Sequence, residues 1–297
     1  MRKIFYLVVL CLAVGICSAQ DIRTIRVLAI GNSFSEDAVE QYLWELGREA
    51  GVNFVIGNAY RGGWSLIAHW KDASTRAADT EYRKVVGGER TNLGKRTIRD
   101  IVTDELWDFI TFQQVSQEAG RPDSYEPGLS LMIGYVRALA LVDSVRLGFH
   151  QTWAYAQDSD HGGFANYDRS QFLMYSSVVS AVEEAMHYHK GDLSFYIPSG
   201  TAIQNARTTS LVEGNTNEAT VNRELTRDGF HLNYTIGRYI AACTWLETLT
   251  GISAVGLKTR PKTITPEQAA IAQHAAHAAV LVPMAVTPIV VGGETNY

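Results

Sequence analysis

Cysteine is scarce: the chain has three in 297 residues, and two of them, Cys11 and Cys17, fall in the N-terminal segment. Cys243 stands alone beyond it, so an internal disulfide is excluded and stability has to come from a buried core. Basic runs are lacking as well. The formal net charge is −5 and no basic–aromatic stripe occurs, so nucleic acid is not an expected partner. No second hydrophobic stretch is long enough to span a bilayer. Repeats, low-complexity tracts and breaks in composition are missing too, which leaves one domain over residues 20–297 as the simplest organisation, with its core at about 25–251.

The N-terminal segment has the order of a secretory signal. Arg2-Lys3 is followed by an apolar stretch from Phe5 to Cys17, then by Ser18-Ala19. Cleavage after Ala19 would make residues 1–19 a signal peptide and send the protein to the periplasm or the cell exterior. A lipid anchor on Cys17 is the alternative, disfavoured because Ile16 stands where a small residue is expected.

Strand and helix patterns alternate along the rest, which predicts a parallel sheet covered on both faces. Strands are expected at 27–30, 52–56, 109–112, 145–149 and 193–197. Helices are expected at 36–49, 128–142, 170–189 and 234–250. Residues 82–92, with Gly87-Gly88 in the middle, predict a hairpin that leaves the main sheet. Thr265 followed by Pro266 opens an Ala-rich helix to about residue 281. The tail past Pro283 reads as a loose strand or as disorder.

Chemistry gathers at two places. The first strand ends in Gly31-Asn32-Ser33-Phe34-Ser35, which sets Ser33 at the carboxyl edge of the sheet, where open α/β folds build their sites. Far downstream, Asp228-Gly229-Phe230-His231 puts a carboxylate and an imidazole on one tight loop. Taken singly, each piece also reads as a turn with a helix cap. Taken together, Ser33, His231 and Asp228 are a nucleophile, a base and an orienting acid. The nucleophile elbow Gly-x-Ser-x-Gly is absent, since Ser35 stands where its second glycine belongs.

These residues resemble the SGNH (GDSL-like) hydrolases. Residues 31–35 resemble that family's first block, with Asn32 and Phe34 in place of the commoner Asp and Leu. The run from Asp228 to Asn233 resembles its last block. Gly63 sits where the second block supplies an oxyanion-hole N–H, with Gly62 adjacent. The third block, Gly-x-Asn-Asp, is replaced by Phe112-Gln113-Gln114-Val115-Ser116, a variant that looks like a mostly bacterial secreted branch. The resemblance implies a flavodoxin-like three-layer α/β/α sandwich, and an esterase whose oxyanion hole uses Ser33, Gly63 and the Gln113 or Gln114 amide, with Ser116 as a further possibility.

Trp64, Trp153 and Tyr155 fall in strand-end loops expected to border Ser33, where flat aromatic faces suit sugar rings; filling the rim of the core is the other reading. His150-Gln151 would line the pocket or be satisfied by neighbours. No cofactor or metal is expected. Asp158-Ser159-Asp160-His161 begins like a calcium loop but lacks the later ligands and reads as a mobile polar loop. His187 and His189 suit a helix C-terminus, and His274 with His277 lack a third ligand. The expected function is a secreted esterase for small acyl groups, foremost acetyl, on carbohydrates. A carbohydrate-binding protein without turnover is one alternative, and a lipase or thioesterase for longer chains is another.

Overall fold

Apolar runs that alternate with amphipathic segments can bury both faces of a sheet only if helices cover each side, and the chain folds in that way. The computed structural model describes residues 22–212 and 225–290. The leader, with Cys17 and the expected cleavage after Ala19, and the end of the tail past residue 290 lie outside the described residues.

The strands are β1 (Arg23–Gly31), β2 (Val52–Tyr60), β3 (Thr80–Val86), β4 (Glu89–Arg96), β5 (Phe109–Phe112), β6 (Arg146–His150) and β7 (Leu193–Ile197). They form one seven-stranded sheet in the order β4-β3-β2-β1-β5-β6-β7. The run β2-β1-β5-β6-β7 is parallel, as the five expected strands require. The hairpin does not leave the sheet. It extends the β2 edge, with β3 antiparallel to β2 from Val55↔Val86 to Tyr60↔Glu81, because β2 runs four residues past its expected end and offers an unpaired edge there.

The helices are α1 (Ser33–Val39), α2 (Leu43–Glu49), α3 (Leu66–Thr75), α4 (Ile98–Val102), α5 (Gly128–Leu139), α6 (Gln171–Tyr188), α7 (Ser199–Ala206), α8 (Ile236–Thr250) and α9 (Pro266–Leu281). The single helix expected over 36–49 is two: Tyr42 has φ 70°, a left-handed conformation that an α-helix cannot contain. α1, α2 and α8 pack together, while α3, α4 and α5 form another group, which gives a flavodoxin-like three-layer sandwich. α9 lies on α7 and α8 and presents Ala269, Ala272, Ala275, Ala276 and Ala279 to the interior. The tail to residue 290 is neither strand nor loose: Thr287 N–H donates to Asn205 Oδ1 at 2.7 Å and Ile289 N–H to Thr208 Oγ1 at 3.2 Å.

This topology locates the site. From β1 the chain moves outward to β2, then returns to the other side of β1 for β5, β6 and β7. Between β1 and β5 the direction of winding reverses, and a crevice opens outside the carboxyl ends of the two strands. Ser33 follows β1 there, and Gln113-Gln114 follow β5.

Candidate active site

β1 stops at Gly31, and Asn32 caps the helix that follows, its Oδ1 accepting the Phe34 N–H at 3.0 Å. Ser33 is therefore the first helical residue, and its N–H belongs to the set that a helix leaves without an internal partner. Asn32 also reaches sideways: its Nδ2 donates to the Trp64 carbonyl at 3.1 Å. That bond holds the loop after β2 against the start of α1. Within the loop, Trp64 N–H donates to Arg61 C=O at 3.2 Å and Gly63 has φ +70°, a turn that favours glycine at its third position.

The acid and base come from a loop closed on itself. Arg227 N–H donates to His231 C=O at 2.9 Å, and Asn233 N–H to Leu225 C=O at 3.1 Å. Gly229, with φ +92°, makes the turn between them. Asp228 Oδ1 accepts the N–H groups of Phe230 (3.2 Å) and His231 (2.8 Å). Its Oδ2 lies 2.6 Å from His231 Nδ1, and His231 Nε2 lies 2.8 Å from Ser33 Oγ. The three side chains named from the sequence thus form one continuous hydrogen-bonded line. Partial burial pushes the Asp228 carboxyl up, but the hydrogen bonds from the His231 ring and from two backbone N–H groups outweigh it and hold the carboxyl below its usual range. An ionised Asp228 accepts a hydrogen bond from His231 Nδ1–H, and the Nε2 lone pair is left facing the serine hydroxyl.

Asp37, one helical turn after Ser33, went unremarked in the sequence. It is fully buried, and its carboxylate accepts the Leu232 N–H (2.8 Å), Arg227 Nη1 (2.9 Å) and Arg238 Nη2 (2.6 Å). Burial pushes its pKa up, and the two guanidiniums pull it back only in part. Asp37 fastens the Asp228–His231 loop to the helix that carries Ser33, two segments almost two hundred residues apart.

The glutamines also hold the site together. Gln113 Nε2 donates to Asn32 Oδ1 at 2.7 Å. Its Oε1 lies 3.3 Å from His150 Nδ1, and His150 Nε2 lies 3.1 Å from Ser199 Oγ. Burial holds His150 down at about 3, so the ring is neutral, donating from Nδ1 and accepting from Ser199. Gln114 Nε2 donates to Ser124 C=O (2.7 Å) and Oγ (3.0 Å), while its Oε1 accepts the Leu66 and Val115 N–H groups. Both amides are buried; the two Gln114 N–H groups are engaged at Ser124, and one of the two Gln113 N–H groups is engaged at Asn32. They tie the end of β5 to the cap of α1 and to the start of α3.

Two of the three aromatics are corrected. Trp153 and Tyr155 are completely buried. Trp153 stacks on Phe34 at 4.4 Å and donates to Phe230 C=O at 2.7 Å; Tyr155 Oη lies 2.8 Å from Ser116 Oγ. Both pack beneath the site. Trp64 is half-buried under the Arg61 guanidinium, 4.0 Å from its ring, and it serves the site through its backbone carbonyl.

What borders Ser33 and His231 is a cleft of about 280 Å³. Tyr60, Gly62 and Gly63 line one side, Val115, Ser116 and Gln117 another, and Phe34, His161 and Phe230 complete it. His161 belongs to the segment read as a mobile polar loop; its place in the loop that follows the carboxyl end of β6 was the available signal. A larger surface hollow of about 560 Å³ lies beside Tyr125, Glu126 and Tyr188, but it holds no nucleophile–base pair. Among the described residues no group of three or more His, Cys, Asp or Glu side chains is gathered as metal ligands would be, and no helix is long and apolar enough to cross a membrane.

The model of the family described as "Domain of unknown function (DUF4886)" matches residues 26–279. A crystal structure of a DUF4886 family protein from Bacteroides uniformis is 45% identical, covering 90% of this chain and 98% of its own, with a TM-score of 0.83. A proposed SGNH hydrolase from Slackia heliotrinireducens is 18% identical over 76% of this chain and 100% of its own, with a TM-score of 0.48. A variant of an acetyl-xylooligosaccharide esterase from Geobacillus Stearmophilus is 12% identical over 80% and 99%, with a TM-score of 0.49. Likenesses as weak as the last two fix neither reaction nor substrate. No curated protein matches the chain.

Proposed function

We propose a function for this chain, which belongs to the DUF4886 family: it is an exported serine esterase of SGNH type that removes small acyl groups, foremost acetyl, from carbohydrate esters. One observation carries the reading, the 2.8 Å contact between Ser33 Oγ and the ring nitrogen of His231 left free by Asp228. His231 takes the hydroxyl proton as Ser33 attacks the ester carbonyl. The developing oxyanion is held by two backbone donors, the N–H of Ser33 at the first position of α1 and that of Gly63 in its turn. The tetrahedral intermediate collapses as His231 Nε2–H protonates the departing alcohol. Water, deprotonated by the same nitrogen, then releases the acid from the acyl-serine.

The size of the cleft supports small acyl groups. At about 280 Å³ it falls just below the range of about 300–1,000 Å³ typical of drug-sized ligands. A long acyl chain would have to lie outside it. Aromatic Tyr60 and Phe230 beside polar Gln117 and His161 give the mixed lining that a sugar ester suits. Export rests on the leader, and the mass of the mature N-terminus tests cleavage after Ala19.

The direct experiment is labelling by a fluorophosphonate, which reacts only with an activated hydroxyl. Ser33 should be labelled, and Ser33→Ala should lose labelling and several orders of magnitude of acetyl-ester turnover while keeping its fold. An unlabelled wild-type protein that still binds sugars would turn the reading into that of a carbohydrate-binding protein. A preference for long chains across a p-nitrophenyl ester series would turn it into that of a lipase or thioesterase.

A further inference from the structure

His161 has a fixed tautomer. Its Nδ1 accepts the Gly163 N–H at 3.0 Å, capping the short helical turn Gly162–Tyr167. A neutral ring with an accepting Nδ1 carries its proton on Nε2. Burial pushes the His161 pKa below its usual value, and the Asp228 and Asp160 carboxylates offset this only in part, which favours the neutral ring. The ring is clamped as well, with Tyr155 tilted against it at 4.8 Å and Phe230 edge-on at 4.6 Å. Among the described residues nothing accepts from Nε2, and the ring lines the cleft that holds Ser33 and His231. The result is a rigid donor in the site with no partner among the described residues.

Topology says which part of the ester it meets. Ser33 follows β1, with Gly63 after β2 on one side of it and His161 after β6 on the other. The oxyanion belongs to the Gly63 side. The departing alcohol oxygen has to lie within reach of His231 Nε2, which protonates it. Phe230 spans the wall between the two histidines, its ring 4.1 Å from His231 and 4.6 Å from His161. Gln117 stands on the same side, its carbonyl held by Asn166 Nδ2 at 2.9 Å and Tyr167 Oη at 3.2 Å.

We infer that His161 is a specificity-determining residue whose Nε2–H donates to a hydroxyl of the leaving alcohol, selecting esters of polyols over esters of plain alkanols. This rests on the esterase reading and adds to it the residue that recognises the alcohol. A donor built to meet a hydroxyl rejects the analogue lacking it, because the donor is then left unpaired.

Glycerol monoacetate and propyl acetate share acyl group and chain length and differ only in hydroxyls, so the ratio of their kcat/KM values reads the contact. His161→Asn keeps an acceptor at the Nδ1 position for the Gly163 N–H and deletes the Nε2–H; His161→Gln keeps a donor near Nε2. The ratio should fall about tenfold in His161→Asn and stay within about threefold in His161→Gln. An unchanged ratio in His161→Asn, or an equal loss on both esters, overturns the inference while leaving the esterase in place. Wild-type protein inactive on both esters and unlabelled at Ser33 overturns the esterase reading, and the inference falls with it.

Discussion

Replacing Asp228 by Asn should cripple the protein through the position of a single proton. Two backbone N–H groups point at Asp228 Oδ1, from Phe230 at 3.2 Å and His231 at 2.8 Å. In the Asn variant only the amide oxygen can satisfy them, since the NH2 group would meet two donors with donors. The NH2 group is thereby forced into the Oδ2 place, 2.6 Å from His231 Nδ1. That nitrogen has to become an acceptor, so the ring proton moves to Nε2, where it faces Ser33 Oγ and blocks the transfer that starts the reaction. A ring locked in the wrong tautomer costs about 10³–10⁴ in kcat, which is about 4–5.5 kcal/mol of barrier. Stability should change little, within about 1 kcal/mol, because the carboxylate is partly exposed and solvent screens its interactions. Two assays check the argument: acetate release under saturating ester, and the ¹⁵N shifts of the His231 ring, which separate the Nδ1–H from the Nε2–H form. Activity within tenfold of wild type, or a ring still protonated on Nδ1, would refute the reasoning.

Three further outcomes follow from the same contacts. Asp37→Asn breaks a buried pairing with Arg227 and Arg238, so unfolding by urea should show a loss of about 3–5 kcal/mol; a loss under 1 kcal/mol would mean the loop has another anchor. Gln113→Ala strips Asn32 Oδ1 of one donor and leaves His150 without its acceptor, so it should cost about 1–3 kcal/mol of stability; a fall of about 10²–10³ in kcat with unchanged stability would place Gln113 in the oxyanion hole. Because the folded Asp228 carboxyl is held below its unfolded value, its stabilisation is complete above the unfolded carboxyl range of about 4 and fades as pH falls through the folded value. The stability gap between wild type and Asp228→Asn should therefore shrink on acidification below about pH 4, and a gap independent of pH would contradict the shift.

The parts legible in the sequence are those whose physics is local. A strand that ends in Gly-Asn-Ser has few ways to turn, and Asp-x-x-His on a tight loop can pair with itself before anything else folds. Strand alternation placed the five parallel strands for the same reason. What could not be read depends on a partner far along the chain. The Gln113 amide has the same donors whether it faces an oxyanion or Asn32, and only the Asn32–Gln113–His150–Ser199 chain decides. Trp153 looks like a rim residue until Phe34 is stacked on it. Tyr42 gave no sign of the left-handed backbone that splits the helix over 36–49.

The unread residues share one trait: most hold a catalytic candidate in place without touching the reaction. Asp37 ties the His231 loop to the Ser33 helix, Asn32 ties that helix to the Gly63 turn, and Gln113 ties both to β5. Two of these joints meet at the Asn32 amide, directly before Ser33, and the third lies one helical turn after it, at the point where the sheet reverses its winding. A site assembled from segments this distant in sequence gains its geometry from such joints. Variants in them should therefore lose stability and kcat together, whereas Asp228→Asn loses kcat with little change in stability. That contrast separates the groups that do chemistry from the groups that aim them.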